Sequence, residues 1–260
     1  MDVTPVARDK TGKVIHPHTC IFPILKQLKR KPDETRLVGT GFFITTLGHF
    51  VTAKHVILDA IDPSSGDQLA YLHALHFVEV DKVLVRHITK VSFNDNADVA
   101  VGKMDYRVIN ATGQPLRSMV PIFTTQPPPS GSPVTTFAYP ESSHVFLRQD
   151  KSNRFVPKYY SGVAMGHSEG PRDSCLVSWP HYITSITLKG GASGGPVFDH
   201  RGRVFAINCV GESRESHIWH AWPNSCHAPF QSILRTRPRL ATSGQFSNWQ
   251  SEVISSLTLP

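Results

Sequence analysis

Short runs of β-branched and aromatic residues recur along the chain, and turn residues separate them. In the first half such runs cover residues 37–38, 42–46, 50–52, 72–80, 83–93 and 99–101. In the second half they cover residues 134–139, 159–160, 174–179, 182–188, 197–198 and 204–207. Runs this short are typical of strands, and 20 prolines and 18 glycines supply turns between them. We therefore predict two β-rich halves, as in barrels or sandwiches, rather than a long-helix bundle.

A stretch rich in Pro, Gly, Ser and Thr separates the two halves and predicts a connector. Near the end of the chain, Phe246, Trp249, Val253 and Leu257 lie at near-helical spacing, which favours a short amphipathic helix. The predicted organisation is an N-terminal extension (1–36), a first β-rich unit (37–110), the connector (111–133), a second β-rich unit (134–235) and a C-terminal tail or helix (236–260).

The balance of charge is basic, with 27 Lys and Arg against 20 Asp and Glu and a formal net charge of +7. Basic residues cluster at 26–31 and at 235–239, and phosphate binding would need such charge on one face. Neither cluster is accompanied by an aromatic-rich binding motif or by zinc-finger spacing. We therefore expect two solvated segments and no nucleic-acid partner, and salt-dependent retention of DNA or RNA would contradict this expectation.

Membrane, metal and redox functions have no support in the sequence. No run approaches the roughly 20 apolar residues of a membrane-spanning helix, and the apolar stretch 21–25 is too short for a secretory signal. We expect a cytoplasmic protein without membrane contact. The four cysteines (Cys20, Cys175, Cys209 and Cys226) form no CxxC pair, so we expect reduced thiols. The 14 histidines form no recognised zinc pattern, and we predict no metal and no cofactor.

The most distinctive local motif places Ser193 between glycine pairs in the segment 190–197, GGASGGPV. A serine nucleophile needs an exposed, sharply turned backbone whose amides are free to face an oxyanion, and glycine permits that geometry. A glycine-rich hairpin with an incidental serine would have the same sequence. The motif alone leaves both interpretations open.

Two residues of the first half fit the other roles in nucleophilic catalysis. His55 follows a strand-like segment in TAKHV (52–56), where an imidazole could act as general base. Asp98 precedes the apolar run 99–101, where a desolvated carboxylate could orient an imidazole. Taken singly, a core histidine and a strand-capping aspartate are the more common explanations of these two residues. Asp95 competes with Asp98 but lacks an apolar strand directly after it. Together with Ser193 they have the chymotrypsin order of His, Asp and Ser.

These motifs resemble those of chymotrypsin/trypsin-fold serine proteases, and in particular of HtrA-like and other trypsin-like peptidase domains, without a PDZ domain. The matching segments are GTGFFITTLGHFVTAKHVI (39–57), ADVAVGKM (97–104), SPVTTFAYPE (132–141) and GGASGGPVFDHRGRVFAINCVG (190–211). The resemblance runs from about residue 37 to about residue 235. It implies an all-β fold of two six-stranded antiparallel β-barrels with the active site in the cleft between them.

The resemblance also implies an activity and a set of roles. The protein would be a serine endopeptidase that acts on protein or peptide substrates through an acyl-enzyme. Ser193 would be the nucleophile, His55 the general acid and base, and Asp98 the group that orients His55. The backbone N–H groups of Gly191 and Ser193 would form the oxyanion hole.

Substrate preference is less constrained by the resemblance. The candidate lining of the pocket for the P1 residue is Thr187, Leu188, Asn208, Val210 and Gly211. Position 187 carries no carboxylate to pair with Lys or Arg, so we predict a small or medium apolar P1 residue. Lys189 or Asn208 could instead favour a polar or acidic one.

The sequence departs from zymogen-activated relatives at the residue before the nucleophile. Ala192 stands where those enzymes have an Asp, and no IVGG-like activation site precedes residue 37. We therefore expect a chain that retains residues 1–36 to be active without cleavage.

The alternative to a serine endopeptidase is a catalytically silent or partner-activated protease-fold binding module, which would have a regulatory partner and could associate with nucleic acid.

Overall fold

The computed structural model describes residues 7–79, 82–94, 97–105, 113–140, 145–146, 157–168, 181–209 and 219–221. Side chains are described throughout these ranges except at 31–34, 145–146 and 219–221. Several predicted features lie outside the described residues: the C-terminal helix (236–260), the strand at 174–179, and the pocket candidates Val210 and Gly211.

Strands make up nearly all of the regular structure in these ranges. They are β1 (Ala7–Arg8), β2 (Val14–Ile15), β3 (Ile21–Leu28), β4 (Lys31–Phe43), β5 (His49–Ala53), β6 (Ala70–Phe77), β7 (Val83–Phe93), β8 (Val99–Met104), β9 (Pro133–Ala138), β10 (Val145–Phe146), β11 (Lys158–Ser168), β12 (His181–Thr184), β13 (Pro196–Asp199), β14 (Val204–Asn208) and β15 (Trp219–Ala221). The helical elements are α1 (Lys54–Leu58) and a 3-10 turn (Pro17–Thr19). Among the described residues, no helix is long and apolar enough to cross a membrane.

The first barrel is a ring of antiparallel strands in the order β4-β3-β6-β7-β8-β5. The ring closes because β4 also pairs with β5, where Phe42 lies opposite Val51. β10 pairs with the first half of β4 and lies outside the ring. Closure leaves the six strands without a free edge.

Phenylalanine rings fill the interior of the first barrel. The ring centroids of Phe22 and Phe43 are 4.7 Å apart, and Phe50 meets Phe22 edge-on at 5.5 Å. Such tilted and edge-to-face contacts are favoured over a face-to-face stack. A Cβ atom at Gly102 would come within 2.3 Å of the Phe50 ring. Glycine at this position of β8 therefore makes room for the aromatic core.

The second barrel is a closed ring in the order β11-β12-β15-β14-β13-β9. Its interior contains buried Val134, Val197 and Phe205. β13 and β14 contain the predicted runs 197–198 and 204–207 and form a hairpin. In its turn the Asp199 carboxylate accepts hydrogen bonds from the backbone N–H groups of Arg201 and Arg203, both at 2.9 Å. The predicted fold of two six-stranded antiparallel barrels is confirmed.

The predicted N-terminal extension (1–36) needs correction, because β3 and the start of β4 are strands of the first barrel. β3 pairs with β4 on one side and with β6 on the other, and residues 21–25 are buried. A strand that is buried on both faces reads as a short continuous apolar run. It therefore lacks the alternation of apolar and polar residues by which strands are usually recognised.

The connector between the barrels packs between β1 and β14. Ile122 donates its N–H to the Arg8 carbonyl at 2.7 Å, and its own carbonyl accepts the N–H of Val204 at 2.8 Å. Ala7 and Ile15 of the β1–β2 hairpin are buried. The hairpin near the N-terminus is therefore packed into the fold rather than lying outside it.

Candidate active site

The end of β5 and the start of β8 bring His55 and Asp98 together. Ala53 lies opposite Val99 in the register of this strand pair, so the residues after Ala53 meet the residue before Val99. The Asp98 carboxylate accepts the backbone N–H of His55 through Oδ1 at 2.9 Å, and Oδ2 lies 2.7 Å from His55 Nδ1. Asp98 thus holds both the backbone and the ring of the same residue.

The exposure of the two side chains differs. The Asp98 side chain is 10% exposed, whereas the His55 side chain is 48% exposed. An ionised carboxylate can only accept a hydrogen bond, so His55 Nδ1 carries the proton and Nε2 is left as an acceptor. This is the tautomer that a general base needs.

The loop between β12 and β13 places Ser193 against the first barrel. Gly194 has a φ of +85°, and a Cβ atom there would lie 2.1 Å from both the Thr40 carbonyl oxygen and Thr52 Oγ1. Gly39 of β4 is similarly tight, since its Cβ would lie 2.5 Å from Val56 and 3.0 Å from the Ser193 carbonyl oxygen. Glycine on both sides of the contact therefore allows the serine loop to approach the segment that carries His55.

Within the segment 190–195, the amides of Gly190, Gly191 and Ser193 have no hydrogen-bond acceptor among the described residues. The other amides of this segment are used: Ala192 donates to the Lys189 carbonyl at 3.1 Å, Gly194 to the Asn208 carbonyl at 2.6 Å and Gly195 to the Ala192 carbonyl at 3.1 Å. Gly191 has a φ of +90°. Two of these three N–H groups, those of Gly191 and Ser193, are the ones that the sequence assigned to an oxyanion hole.

Cys209 joins the serine to the aspartate, and sequence reasoning did not find this contact. The Ser193 hydroxyl donates to the Cys209 carbonyl at 3.4 Å, and the Cys209 thiol donates to the Asp98 carbonyl at 3.4 Å. Among the described residues the serine hydroxyl bonds to this carbonyl and not to His55. Cys209 follows β14 directly, but a single buried cysteine carries no motif that would have revealed this role.

Comparison with known families decides what kind of domain carries this arrangement. Residues 39–207, more than half of the chain, match the trypsin-like peptidase domain family. The chain belongs to this family. The match confirms the resemblance predicted from the serine and histidine motifs.

Solved structures with the same fold are distant in sequence from this trypsin-like peptidase. The active form of the Rv3671c protease from M. tuberculosis is 19% identical with a TM-score of 0.56, and the match covers 92% of this chain and 93% of that one. Deg5 is 18% identical with a TM-score of 0.54, covering 74% and 80%. A serine endoprotease from Yersinia pestis is 17% identical with a TM-score of 0.53, covering 83% and 62%. Identities this low establish the fold alone. Comparison with curated proteins finds no match.

The described candidates for the P1 pocket have different surroundings in this peptidase domain. Thr187 is exposed, and Leu188 is partly buried against the core of the second barrel. Asn208 is 1% exposed, and its side-chain amide donates to Thr136 Oγ1 at 2.8 Å and to the Ala192 carbonyl at 3.4 Å. The Asn208 amide therefore supports the serine loop from inside the second barrel.

A histidine from the N-terminal segment lies behind the serine loop. His18 Nδ1 is 2.8 Å from the Tyr139 hydroxyl, and a Cβ atom at Gly191 would lie 2.5 Å from the Tyr139 carbonyl oxygen. Burial lowers the pKa of His18 to about 4, with a smaller contribution from His16. Burial also raises the pKa of Tyr139. The pair is therefore uncharged at neutral pH.

Proposed function

We propose that this trypsin-like peptidase is a serine endopeptidase that hydrolyses peptide bonds of protein or peptide substrates through an acyl-enzyme. The observation that carries the proposal is the two-point contact of Asp98 with His55, joined through Cys209 to Ser193. The amides of Ser193 and Gly191 have no acceptor among the described residues. These groups supply an oriented base, a nucleophile and donors for a developing negative charge.

Acylation begins when Ser193 Oγ attacks the substrate carbonyl carbon. His55 Nε2 takes the hydroxyl proton as the new O–C bond forms, and the Asp98 carboxylate stabilises the resulting imidazolium. The carbonyl oxygen becomes an oxyanion that accepts hydrogen bonds from the amides of Gly191 and Ser193. The C–N bond then breaks, and His55 returns the proton to the leaving amine.

Deacylation repeats these steps with water in place of the amine. His55 Nε2 takes a proton from the water as its oxygen bonds to the acyl carbon, and Ser193 Oγ leaves with the proton that His55 returns. Fixed amides are effective because they need no reorganisation when charge develops, and removing one such donor costs about 100-fold to 1,000-fold in kcat.

Covalent labelling with a fluorophosphonate probe tests the proposal. Folded wild-type protein should be labelled, and Ser193→Ala and His55→Ala should both abolish labelling. Ser65 lies in an exposed turn far along the chain from the serine loop, so Ser65→Ala is the matched control and should be labelled normally. Labelling of Ser193→Ala at the wild-type rate would contradict the assignment of the nucleophile.

A second candidate function is a partner-activated form of the same domain, and the Ser193 hydrogen bond favours it. The hydroxyl donates to Cys209 rather than to His55, so the nucleophile and base pair only after the hydroxyl rotates. Catalytic hydrogen bonds often tighten only when substrate binds. Labelling of the wild type with and without a mixed peptide pool separates the two candidates. Labelling that requires the peptides supports activation, and equal rates contradict it.

We also propose that the P1 residue is small or medium and apolar rather than Lys or Arg. Position 187 carries a threonine, so the candidate pocket lacks a carboxylate there to balance a buried positive charge. Exposed Lys189 is the nearest positive group to this position along the chain. Cleavage of a mixed peptide pool tests the preference: dominant cutting after Lys or Arg contradicts it, and cutting after Asp or Glu that is lost in Lys189→Ala supports the acidic alternative.

A further inference from the structure

We propose that the Thr40 hydroxyl is a positioning group for the oxyanion hole, holding the serine loop in the conformation that presents the amides of Gly191 and Ser193. This inference rests on the proposed function. Thr40 lies in β4 of the first barrel and is fully buried. It does not touch the reacting atoms and acts through the loop.

Thr40 makes three hydrogen bonds to the second half of the chain. Its hydroxyl donates to the Gly191 carbonyl at 2.8 Å and accepts the N–H of Tyr139 at 3.2 Å. Its backbone N–H donates to the Ser193 carbonyl at 2.8 Å. Thr40 is therefore hydrogen-bonded to the carbonyl groups of both candidate oxyanion-hole residues, Gly191 and Ser193.

Thr40 is also tied to the strand that leads to His55. Its carbonyl accepts the Thr52 hydroxyl at 2.8 Å, and Thr52 lies in β5, three residues before His55. The serine loop and the strand that leads to His55 are therefore both hydrogen-bonded to Thr40 of the first barrel. A small displacement at this point would change the distance between the groups that act on the substrate, and misplacement by about 1 Å can cost about 100-fold in rate.

The peptide group that Thr40 holds lies between the two peptides that carry the N–H groups of Gly191 and Ser193. Its carbonyl belongs to Gly191 and bonds to Thr40, and its N–H belongs to Ala192 and bonds to the Lys189 carbonyl. Gly191 adopts a φ of +90°, and a glycine offers little local resistance to rotation of the flanking peptides. The hydroxyl therefore adds a second restraint on this peptide group, and this one comes from outside the loop.

The experiment compares Thr40→Val, Thr40→Ala and Thr40→Ser with wild type in the full chain. Valine keeps the shape and loses the hydroxyl, alanine leaves room for a water, and serine keeps the hydroxyl. The readouts are the rate of fluorophosphonate labelling and the acylation burst with p-nitrophenyl acetate. We expect Thr40→Val to slow both by about 10-fold to 100-fold and Thr40→Ser to stay within about threefold of wild type.

Thr45→Val is the matched control, because Thr45 is a buried threonine of the first barrel whose hydroxyl bonds to His49 rather than to the serine loop. It should acylate at the wild-type rate. Since the His55–Asp98 contact is untouched, the pH dependence of acylation by Thr40→Val should match that of wild type. If Thr40→Val does not fold, Thr40→Ala provides the rate of a variant without the hydroxyl.

The outcomes separate this inference from the proposed function. A wild type that neither probe acylates, with or without the mixed peptide pool, removes the function and, with it, the role of Thr40. An active wild type together with a Thr40→Val or Thr40→Ala variant of the same rate overturns only the role of Thr40. A slow Thr40→Ser variant overturns it too, because that change preserves the hydroxyl and alters only packing.

Discussion

The two barrels contribute to the candidate site in different ways. His55 and Asp98 belong to adjoining strand ends of the first barrel, and the contact between their side chains is made within that barrel. Ser193 lies on a loop of the second barrel, but its surroundings include Gly39 and Thr40 of the first. The acid–base pair is therefore local to one barrel, whereas the position of the nucleophile depends on how the barrels meet.

The largest expected effect on activity tests the His55–Asp98 pair, which lies within the first barrel. Asp98→Asn should keep the fold but lower kcat by about 10⁴-fold, because an amide can stabilise the wrong tautomer of His55 and cannot balance an imidazolium. Acylation by p-nitrophenyl acetate measures the loss. Asp95→Asn changes the competing carboxylate and should have little effect. A larger loss of acylation rate in Asp95→Asn than in Asp98→Asn would assign the orientation of His55 to Asp95 instead of Asp98.

The next effect tests the contact between the barrels. Gly194→Ala would place a Cβ atom 2.1 Å from the Thr40 carbonyl oxygen at a φ of +85°. We expect a loss of about 3 kcal/mol or more in the free energy of unfolding, because the clash is with backbone and the φ is strained. Fluorophosphonate labelling should fall with it.

Gly190→Ala is the matched control for this change. A Cβ atom at Gly190 meets nothing within 4 Å, so urea unfolding and labelling of this variant should both resemble wild type. Similar losses in Gly190→Ala and Gly194→Ala would show that the loop tolerates no side chain at all. The loss of stability in Gly194→Ala would then not be due specifically to the contact with β4 and β5.

Acidification should destabilise the first barrel through two buried histidines. Burial lowers the pKa of His49 to about 3, with smaller contributions from Lys103 and Lys90, and burial together with Arg86 lowers the pKa of His76 to about 3. The unfolded chain binds these protons near pH 6.5, so their stabilising effect is complete above that pH and is lost progressively as the pH falls towards 3. Between about pH 6.5 and pH 5, each of the two histidines should lower the free energy of unfolding by about 2 kcal/mol.

Urea unfolding at about pH 7 and about pH 5 measures this dependence. His49→Asn should reduce the difference in unfolding free energy between the two pH values, even though the variant is less stable overall. Exposed His200 lies in the second barrel's β13–β14 turn, and His200→Asn is the control. An unchanged pH dependence in His49→Asn would remove this histidine as a cause.

The difference between the barrels also explains what could be predicted from the sequence. The residues around His55, Asp98 and Ser193 form compact motifs, and the structure places the first two in contact and Ser193 one residue, Cys209, away from Asp98. β3 was missed because a fully buried strand lacks alternation. Thr40 and Cys209 were missed because their roles come from contacts across the barrels, which no local pattern records.

The smallest expected effect concerns the bridge formed by Cys209. Its thiol donates to the Asp98 carbonyl at 3.4 Å, and such hydrogen bonds from sulfur are weak, so Cys209→Ala should slow acylation by only about fivefold. Cys209→Ser keeps a donor and should stay within about threefold of wild type. Cys20 makes a matching thiol contact at 3.4 Å, but with the Pro17 carbonyl rather than with Asp98, and Cys20→Ala should leave acylation unchanged. If Cys209→Ala also acylates at the wild-type rate, the position of Asp98 is set within the first barrel alone. The acid–base pair would then be independent of the second barrel, in contrast to the nucleophile.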